Sequence, residues 1–212
     1  MSTPTRVRAA RKSPAERADD IARAARDLAL EHGLSAITLR SVAAAAGVAP
    51  ALVAHYVPSM ETLLARTFST VVSAEIAEVE ALLATIEGPR AQLGAVVRTV
   101  LDGTRDDVTV VWVEAWALGR RNETLAIAVR EEMDAWQSIL QEVVEAGVRS
   151  GDFETTDAAG AAWQLLGMVD GLNAQALVRW GDTGARAALT LHAVEGMLGL
   201  PRGALDAPPP AE

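Results

Sequence analysis

Side chains that could carry out covalent or metal chemistry are few in this sequence of 212 residues. There is no cysteine, which excludes disulfides, thiolate zinc sites and cysteine nucleophiles. The three histidines, His32, His55 and His192, lie too far apart to form a pair with metal-ligand spacing. The sequence also lacks a nucleophile elbow, a phosphate-binding loop and a histidine–carboxylate cluster. It therefore predicts neither an enzyme nor a protein with a metal or other cofactor.

Tryptophans and carboxylates after residue 100 are better suited to binding a ligand. All five tryptophans lie there, and Trp112 and Trp116 share a helix face because they are four residues apart. Aromatic faces beside a carboxylate such as Glu114 or Asp170 would bind a cation. The same rings could instead line a pocket for a hydrophobic compound, or simply fill a core. We predict a ligand pocket lined by Trp112, Trp116, Met133, Trp136 and Trp163.

A second binding site is predicted by the stretch TLRSVAAAAGVAPALVAHYVPSM, which begins at Thr38. Thr38 can cap a first short helix, and Gly47 can end it because glycine readily adopts positive φ. Pro50 suits the first turn of a second helix, which Pro58 stops. Two short helices joined by such a turn form a helix–turn–helix motif, here over residues 38–57, whose second helix enters the major groove of DNA.

The distribution of charge agrees with such a DNA-binding part. The whole chain carries a net charge of −9, but residues 1–66 hold nine basic and six acidic side chains. That segment is therefore +3 and the remainder −12, a division typical of a DNA-binding head on a body with another function. Residues 1–13 contain four basic side chains and no acidic one. This arm could be a disordered tail or could contact phosphates or the minor groove.

Helical periodicity accounts for the elements that must position these residues. Ser13, Pro14 and Glu16 make a cap, an early proline and a first-turn acid, which predict the start of the first helix. Further helices are predicted over about 59–86, 89–103, 109–118, 123–150, 156–180 and 183–198. We predict an all-α protein with a flexible basic arm (1–14), a three-helix helix–turn–helix domain (15–75), a C-terminal helical bundle for ligand binding and dimerisation (76–200) and a disordered tail (201–212).

Membrane association is not expected from this sequence. No apolar run reaches the ~18 residues that a membrane span needs. The N-terminus is basic and polar, without the apolar core of a signal peptide. We therefore expect a cytoplasmic protein.

The pattern AxxAGVxxxxxxHYxxxxExL, preceded by a helix ending in EHG, resembles the DNA-binding domain of the tetracycline-repressor (TetR) family. The resemblance covers about Ala15 to Ser73. It implies that double-stranded DNA is contacted by Arg40, Pro50, Ala51, Leu52, Ala54, His55 and Tyr56. The chain departs from the family at Ala49, Ala54 and Met60, where Ser or Thr, Tyr and Lys are common. Thymine methyl groups could still be read by apolar contact, and Tyr56 could equally close the three-helix core.

The resemblance also implies a homodimer in which the last two long helices pair with their twofold mates. Both helices are apolar on more than one side. This is expected of a helix that packs both against its own core and against another subunit. Our candidates for this interface are Gly160, Gly167, Gly171, Leu191 and Val194.

Three short segments narrow the family resemblance further. GRRNETLAI, SGDF and MVDGL resemble the subgroup that responds to choline or betaine aldehyde. We therefore expect a repressor that a small molecule releases from a palindromic operator. The alternative is a dimeric interaction protein of the same fold with weakened or lost DNA binding.

Overall fold

Nine α-helices make up the part of the chain that the structure, a computed structural model, describes, which is residues 13–205. No strand occurs within this range, so the all-α prediction is confirmed. Residues 1–12, which hold most of the predicted basic arm, lie outside it. Short 3₁₀ turns at Leu34–Ala36 and Thr183–Ala185 precede α2 and α9. The helices are α1 (Pro14–His32), α2 (Leu39–Ala45), α3 (Pro50–Tyr56), α4 (Met60–Leu83), α5 (Pro89–Val100), α6 (Asp106–Gly119), α7 (Glu123–Ser150), α8 (Ala158–Leu177) and α9 (Arg186–Met197).

The helix starts follow the capping residues of the sequence. The Ser13 hydroxyl accepts a hydrogen bond from the backbone amide of Glu16. In return, the Glu16 side chain accepts a hydrogen bond from the backbone amide of Ser13. Thr38 and Ser41 form the same reciprocal pair at the start of α2. Asp157 caps α8 by accepting from the amide of Gly160. These caps satisfy amides that a helix leaves unpaired at its N-terminus.

The first three helices pack into a small bundle, which we call the head. Ile21 and Ala25 of α1, Val42 of α2 and Val53 of α3 are buried in its core. Gly47, with φ of +66°, ends the first short helix and turns the chain toward α3. The helix–turn–helix prediction is thus confirmed, with α3 as the second helix of the motif.

The body comprises the helices from α4 onward, and α4 extends from the head into it. Phe68, Val72 and Val79 of α4 are buried, and α7 packs against both α4 and α8. The boundary that we expected after residue 75 falls inside α4. A single helix, which begins at Met60 shortly after the end of α3, therefore connects the head to the centre of the body.

Several helix ends differ from the sequence prediction. The fourth helix ends at Leu83 and the fifth at Val100, each about three residues early. The eighth ends at Leu177 because Arg179 and Gly181 adopt positive φ, which a right-handed helix excludes. The apolar periodicity of the sequence continues past these helix ends, so it does not indicate where the backbone leaves the helical conformation.

The start of the predicted disordered tail is ordered, which corrects that prediction. Leu205 is 2% exposed, and its carbonyl accepts a hydrogen bond of 2.8 Å from Arg98. The buried carboxylate of Glu195 accepts from the amides of Gly203 and Leu205, both at 2.9 Å. A buried carboxylate requires such donors, so residues 201–205 fold back onto α5 and α9. Residues 206–212 lie outside the described range.

Candidate functional site

A cavity lies in the body between α4, α5, α6, α7 and α8. Its wall is mainly apolar, with valines of α5 and leucines of α7 and α8. Four of the five predicted ligand residues line it: Trp112, Trp116, Met133 and Trp136. The structure therefore brings these four residues together around one space.

The tryptophans of α6 are held in fixed orientations. Phe68, fully buried on α4, contacts Trp112 edge to face, with ring centroids 4.9 Å apart. The rings of Trp112 and Trp116 lie 5.7 Å apart at an interplanar angle of 38°. Such packing lowers the entropy that these large side chains would lose on binding a ligand.

Asp170 of α8 supplies a carboxylate to the same cavity. Among the described residues it has no hydrogen-bond or ion-pair partner. Burial raises the pKa of Asp170 from 3.8 to about 6, because the charged form loses solvation and gains nothing in return. At neutral pH the group is ionised and uncompensated, which is costly for the ligand-free protein.

Glu75 of α4 is a second carboxylate of the cavity wall, and it is paired. Burial raises its pKa to about 6, although Arg105 and the side chain of Trp112 oppose the rise. The Arg105 guanidinium, just before α6, lies 3.8 Å from Glu75 and 3.0 Å from Glu78. Glu75 and Arg105 also line a polar crevice of about 260 Å³ between α1, α4 and α6.

The cavity is also lined by three residues that the sequence did not predict, Glu75, Arg105 and Asn173. A signal for Glu75 was available, because it interrupts the stripe of apolar residues on α4 that contains Val72 and Val79. A carboxylate on a buried helix face needs a partner or a function. Arg105 lies in a loop and Asn173 on an apolar helix. At neither position does the sequence periodicity indicate that the side chain lines a cavity.

Two side chains named for ligand binding lie outside this cavity. Trp163 is 70% exposed on the outer side of α8, in a shallow groove shared with Met133. Glu114 points from α6 toward the head, where both of its carboxylate oxygens accept hydrogen bonds from Ser35. Of the two carboxylates that the sequence offered for a cation, only Asp170 therefore lies in the cavity.

The cavity is small, about 50 Å³. A cavity that holds benzene is about 150 Å³. An organic ligand therefore fits only if the cavity widens by movement of the lining side chains or of the helices that carry them. A ligand that requires such a movement binds the widened conformation preferentially and so shifts the population toward it.

The exposed surface of the helix–turn–helix contains the predicted DNA-facing residues. Arg40, Pro50, Ala51, Ala54 and His55 are exposed, whereas Leu52 and Tyr56 are half-buried. The Tyr56 ring packs partly against the core and contacts His55 edge to face at 5.3 Å. Tyr56 thus serves the core in part while its other side stays accessible. Arg40 forms no ion pair within the described residues, which leaves its guanidinium available.

A third surface consists of the outer faces of α8 and α9. Gly167 and Gly171 lie in a shallow groove with Leu189, and no atom of the protomer comes within 4 Å of where their Cβ atoms would be. Trp163, Val178, Trp180 and Leu189, all in this region, are among the few large apolar residues of the described chain that are exposed.

Three of the predicted interface residues make contacts within their own protomer instead. Leu191 and Val194 are each 2% exposed and face the core of their own protomer, so a partner cannot reach them. A Cβ at Gly160 would clash with the Asp157 carboxylate that caps α8. Glycine at that position is thus explained by the cap.

Comparison with protein families gives two matches that together span most of the chain. Residues 21–67 match the model of the bacterial regulatory proteins of the tetR family. Residues 89–199, just over half of the chain, match that of the BetI-type transcriptional repressor C-terminal domain. No curated protein matches the chain significantly.

Solved structures share the fold over nearly their whole length. A transcriptional regulator from Saccharomonospora viridis in complex with choline has a TM-score of 0.77 and 22% identity, covering 87% of this chain and 98% of that one. FadR from Bacillus subtilis in complex with stearoyl-CoA has a TM-score of 0.67 and 19% identity, covering 85% and 98%. At these identities the likeness concerns the fold. Within residues 13–205, no helix is long and apolar enough to cross a membrane.

Proposed function

Because the chain belongs to the TetR family of bacterial transcriptional regulators, with a C-terminal domain of the BetI type, we propose that its effector is a small organic cation. The chain is a ligand-responsive, DNA-binding regulator, and in our proposal the cation occupies the cavity beside α6 and releases the protein from its operator. The observation that carries this proposal is Asp170, a half-buried carboxylate that lines an aromatic cavity and has no hydrogen-bond or ion-pair partner among the described residues.

The composition of the cavity favours a cation over a neutral or acidic ligand. Its charged side chains are Glu75, Asp170 and Arg105, so the wall has a net charge of −1. Arg105 already pairs with Glu75 and Glu78, which leaves Asp170 for the ligand. The tryptophan faces add about 0.5–2 kcal/mol for a desolvated cation.

The size of the cavity favours a compact effector. FadR from Bacillus subtilis holds stearoyl-CoA, whose long acyl chain needs a far larger space than about 50 Å³. A quaternary amine such as choline, which the regulator from Saccharomonospora viridis holds, requires a modest widening. Choline is therefore the first compound to test.

The protein acts on DNA as a homodimer in this proposal. The outer faces of α8 and α9, with Gly167, Gly171 and Leu189, would pair with the same surface of a second copy, as self-complementary interfaces do. Two heads then meet half-sites about 34–36 Å apart, one helical turn of DNA. Widening of the cavity would alter the separation of the heads through α4 and reduce operator affinity.

The test is a titration of the protein with choline, followed by tryptophan fluorescence, with operator binding measured in parallel. The operator is selected from a randomised DNA pool with the ligand-free protein. We expect choline to change the fluorescence and weaken operator binding over the same concentration range. Binding of neutral hydrophobic compounds but of no quaternary amine would refute the cationic effector. Failure to select any DNA would favour the alternative of an interaction protein.

Choline affinity should depend on pH through the cavity carboxylates. Protonation of Asp170, whose pKa is about 6 in the ligand-free protein, removes the charge that attracts the cation. Affinity should be constant above pH 7 and fall by up to about tenfold for each pH unit below 6. Fluorescence titrations between pH 5 and 8 measure this profile. A profile that stays level down to pH 5 would exclude Asp170 and Glu75 from the site.

Replacement of Arg40 by alanine should weaken operator binding by about 1–3 kcal/mol, the value of a good base contact. Arg40 is exposed on α2 beside the recognition helix and forms no ion pair with the described residues. Fluorescence anisotropy with the selected operator measures the loss. Arg202→Ala, which removes an exposed arginine from the far end of the body, should leave affinity unchanged. Equal losses for both variants would indicate a general charge effect.

A further inference from the structure

The only polar contacts between α6 and the 3₁₀ turn of the head come from Glu114, within the described residues. Its Oε2 accepts a hydrogen bond of 2.7 Å from the Ser35 amide, and its Oε1 accepts one of 2.8 Å from the Ser35 hydroxyl. The two residues are 79 positions apart in the chain. A carboxylate that accepts two donors from one residue fixes orientation as well as distance.

The backbone of the head is shaped to receive this carboxylate. Gly33 is buried, has φ of +83°, and a Cβ there would lie 2.5 Å from the Glu114 Oε2. Both the backbone conformation and the space therefore require glycine. We call Gly33, Ser35 and Glu114 together the head latch.

The other side of α6 is the wall of the cavity. Trp112, Val113 and Trp116 line the cavity, whereas Glu114, which stands among them in sequence, does not. Because a helix is a stiff element, widening of the cavity that displaces the tryptophans also displaces Glu114.

On the head side, hydrogen bonds continue from the latch to α2. The Ser41 hydroxyl contacts the carbonyl oxygen of Ala36 at 2.7 Å, and it also accepts from the Thr38 amide at 2.8 Å. Ser41 follows Arg40, the predicted DNA contact, directly in sequence. A continuous set of contacts thus runs from the cavity wall through Glu114 and the turn at residues 34–36 to α2.

We propose that Glu114 is a positioning residue that couples the cavity to the DNA-binding head through Ser35, in addition to the covalent connection through α4. This inference rests on the proposed function for the identity of the ligand, but not for the coupling itself. Coupling is reciprocal, so DNA bound to the head must also change the behaviour of α6.

Two variants weaken the head latch through different atoms. Glu114→Gln keeps the size of the side chain but replaces one acceptor oxygen by a donor group, and Ser35→Ala removes the hydroxyl. Glu131→Gln is the matched control, because Glu131 is exposed on α7 and has no hydrogen-bond or ion-pair partner between residues 13 and 205. Circular dichroism checks that each variant is folded.

The first readout is hydrogen exchange of the α6 amides with and without the selected operator, which needs no ligand. We expect the operator to slow exchange in α6 of the wild type and of Glu131→Gln, and this slowing to be lost in both latch variants. An α6 that does not respond to DNA in the wild type, or responds equally in the latch variants, would overturn the proposal.

The second readout uses choline as the probe. Its Kd for the DNA-free protein should stay within about twofold in the latch variants, because Glu114 and Ser35 lie outside the cavity. The factor by which saturating choline weakens operator binding should fall by about fivefold or more. An unchanged factor would contradict the role of Glu114. If choline fails to bind the wild type, the cationic effector is wrong, and the exchange of α6 still decides the coupling.

Discussion

Replacement of Asp170 by asparagine is expected to stabilise the ligand-free protein while removing its response to choline. The pKa of Asp170 is raised from 3.8 to about 6 by burial. This rise corresponds to a cost of about 3 kcal/mol to the folded state at neutral pH. Asparagine carries no charge but still buries an amide, so we expect a gain of about 1–3 kcal/mol in the free energy of unfolding.

The pH dependence of this gain follows from the direction of the pKa shift. The folded state binds the Asp170 proton more tightly than the unfolded state, so the carboxylate destabilises the folded protein fully above about pH 6. The cost decreases below that pH and disappears below about 4, where both states are protonated. Urea unfolding of wild type and Asp170→Asn at pH 7.5 and pH 5 should therefore show the larger difference at pH 7.5.

The same substitution should reduce choline affinity by roughly 100-fold or more, because a buried cation would lose its counter-charge. Asp134→Asn, an exposed position on α7, is the matched control and should change neither property. A variant that loses stability and retains choline binding would show that Asp170 is structural. A gain of stability together with a loss of choline binding would show that the Asp170 side chain serves ligand binding at the expense of stability.

Glutamine at Gly167 and at Gly171 should separate the dimer without unfolding the protomer. Within one protomer, no atom lies within 4 Å of either missing Cβ, so the new side chains meet no obstacle. Removal of each glycine from the interior of α8 should even favour the helix by up to about 1 kcal/mol. Against a second copy packed on this groove, two long polar side chains would prevent close approach of the helices.

Sedimentation velocity at micromolar concentration measures this effect, and we expect a shift from dimer to monomer for the double variant. Operator affinity should fall by roughly 100-fold or more, because a monomer contacts one half-site only. Ala77→Gln, on an exposed position of α4, should remain dimeric. A double variant that stays dimeric would place the subunit interface on another face. A wild-type monomer would remove the dimer from our proposal.

Local signals in the sequence were sufficient for most elements of the fold. Caps such as Ser13, Thr38 and Asp157 act through hydrogen bonds within four residues, so their pattern is complete in a short window. The turn at Gly47 likewise depends on one residue and its neighbours. The head and the order of the helices could therefore be predicted without knowledge of the rest.

The candidate site was less predictable, because several of its features depend on which face of a helix meets which neighbour. Trp163 belongs to an α8 that is apolar on more than one side, so spacing could not distinguish its outer surface from its inner one. Leu191 and Val194 were assigned outward for the same reason and lie inward. The bond between Glu114 and Ser35 joins positions 79 residues apart, and no periodicity carries information over such a separation.

The fold-back of residues 201–205 has a consequence for the genetics of the regulator. A nonsense mutation after residue 200 would leave every helix, the DNA-facing residues and the cavity unchanged in sequence. It would also strip the buried Glu195 carboxylate of the Gly203 and Leu205 amides, and a hydrogen bond to a charged group contributes about 1.5–3 kcal/mol. That is a large part of the stability of an ordinary domain. Such an allele should therefore score as a null through degradation of the protein, and a screen for constitutive expression of the target genes should recover it alongside mutations in the head.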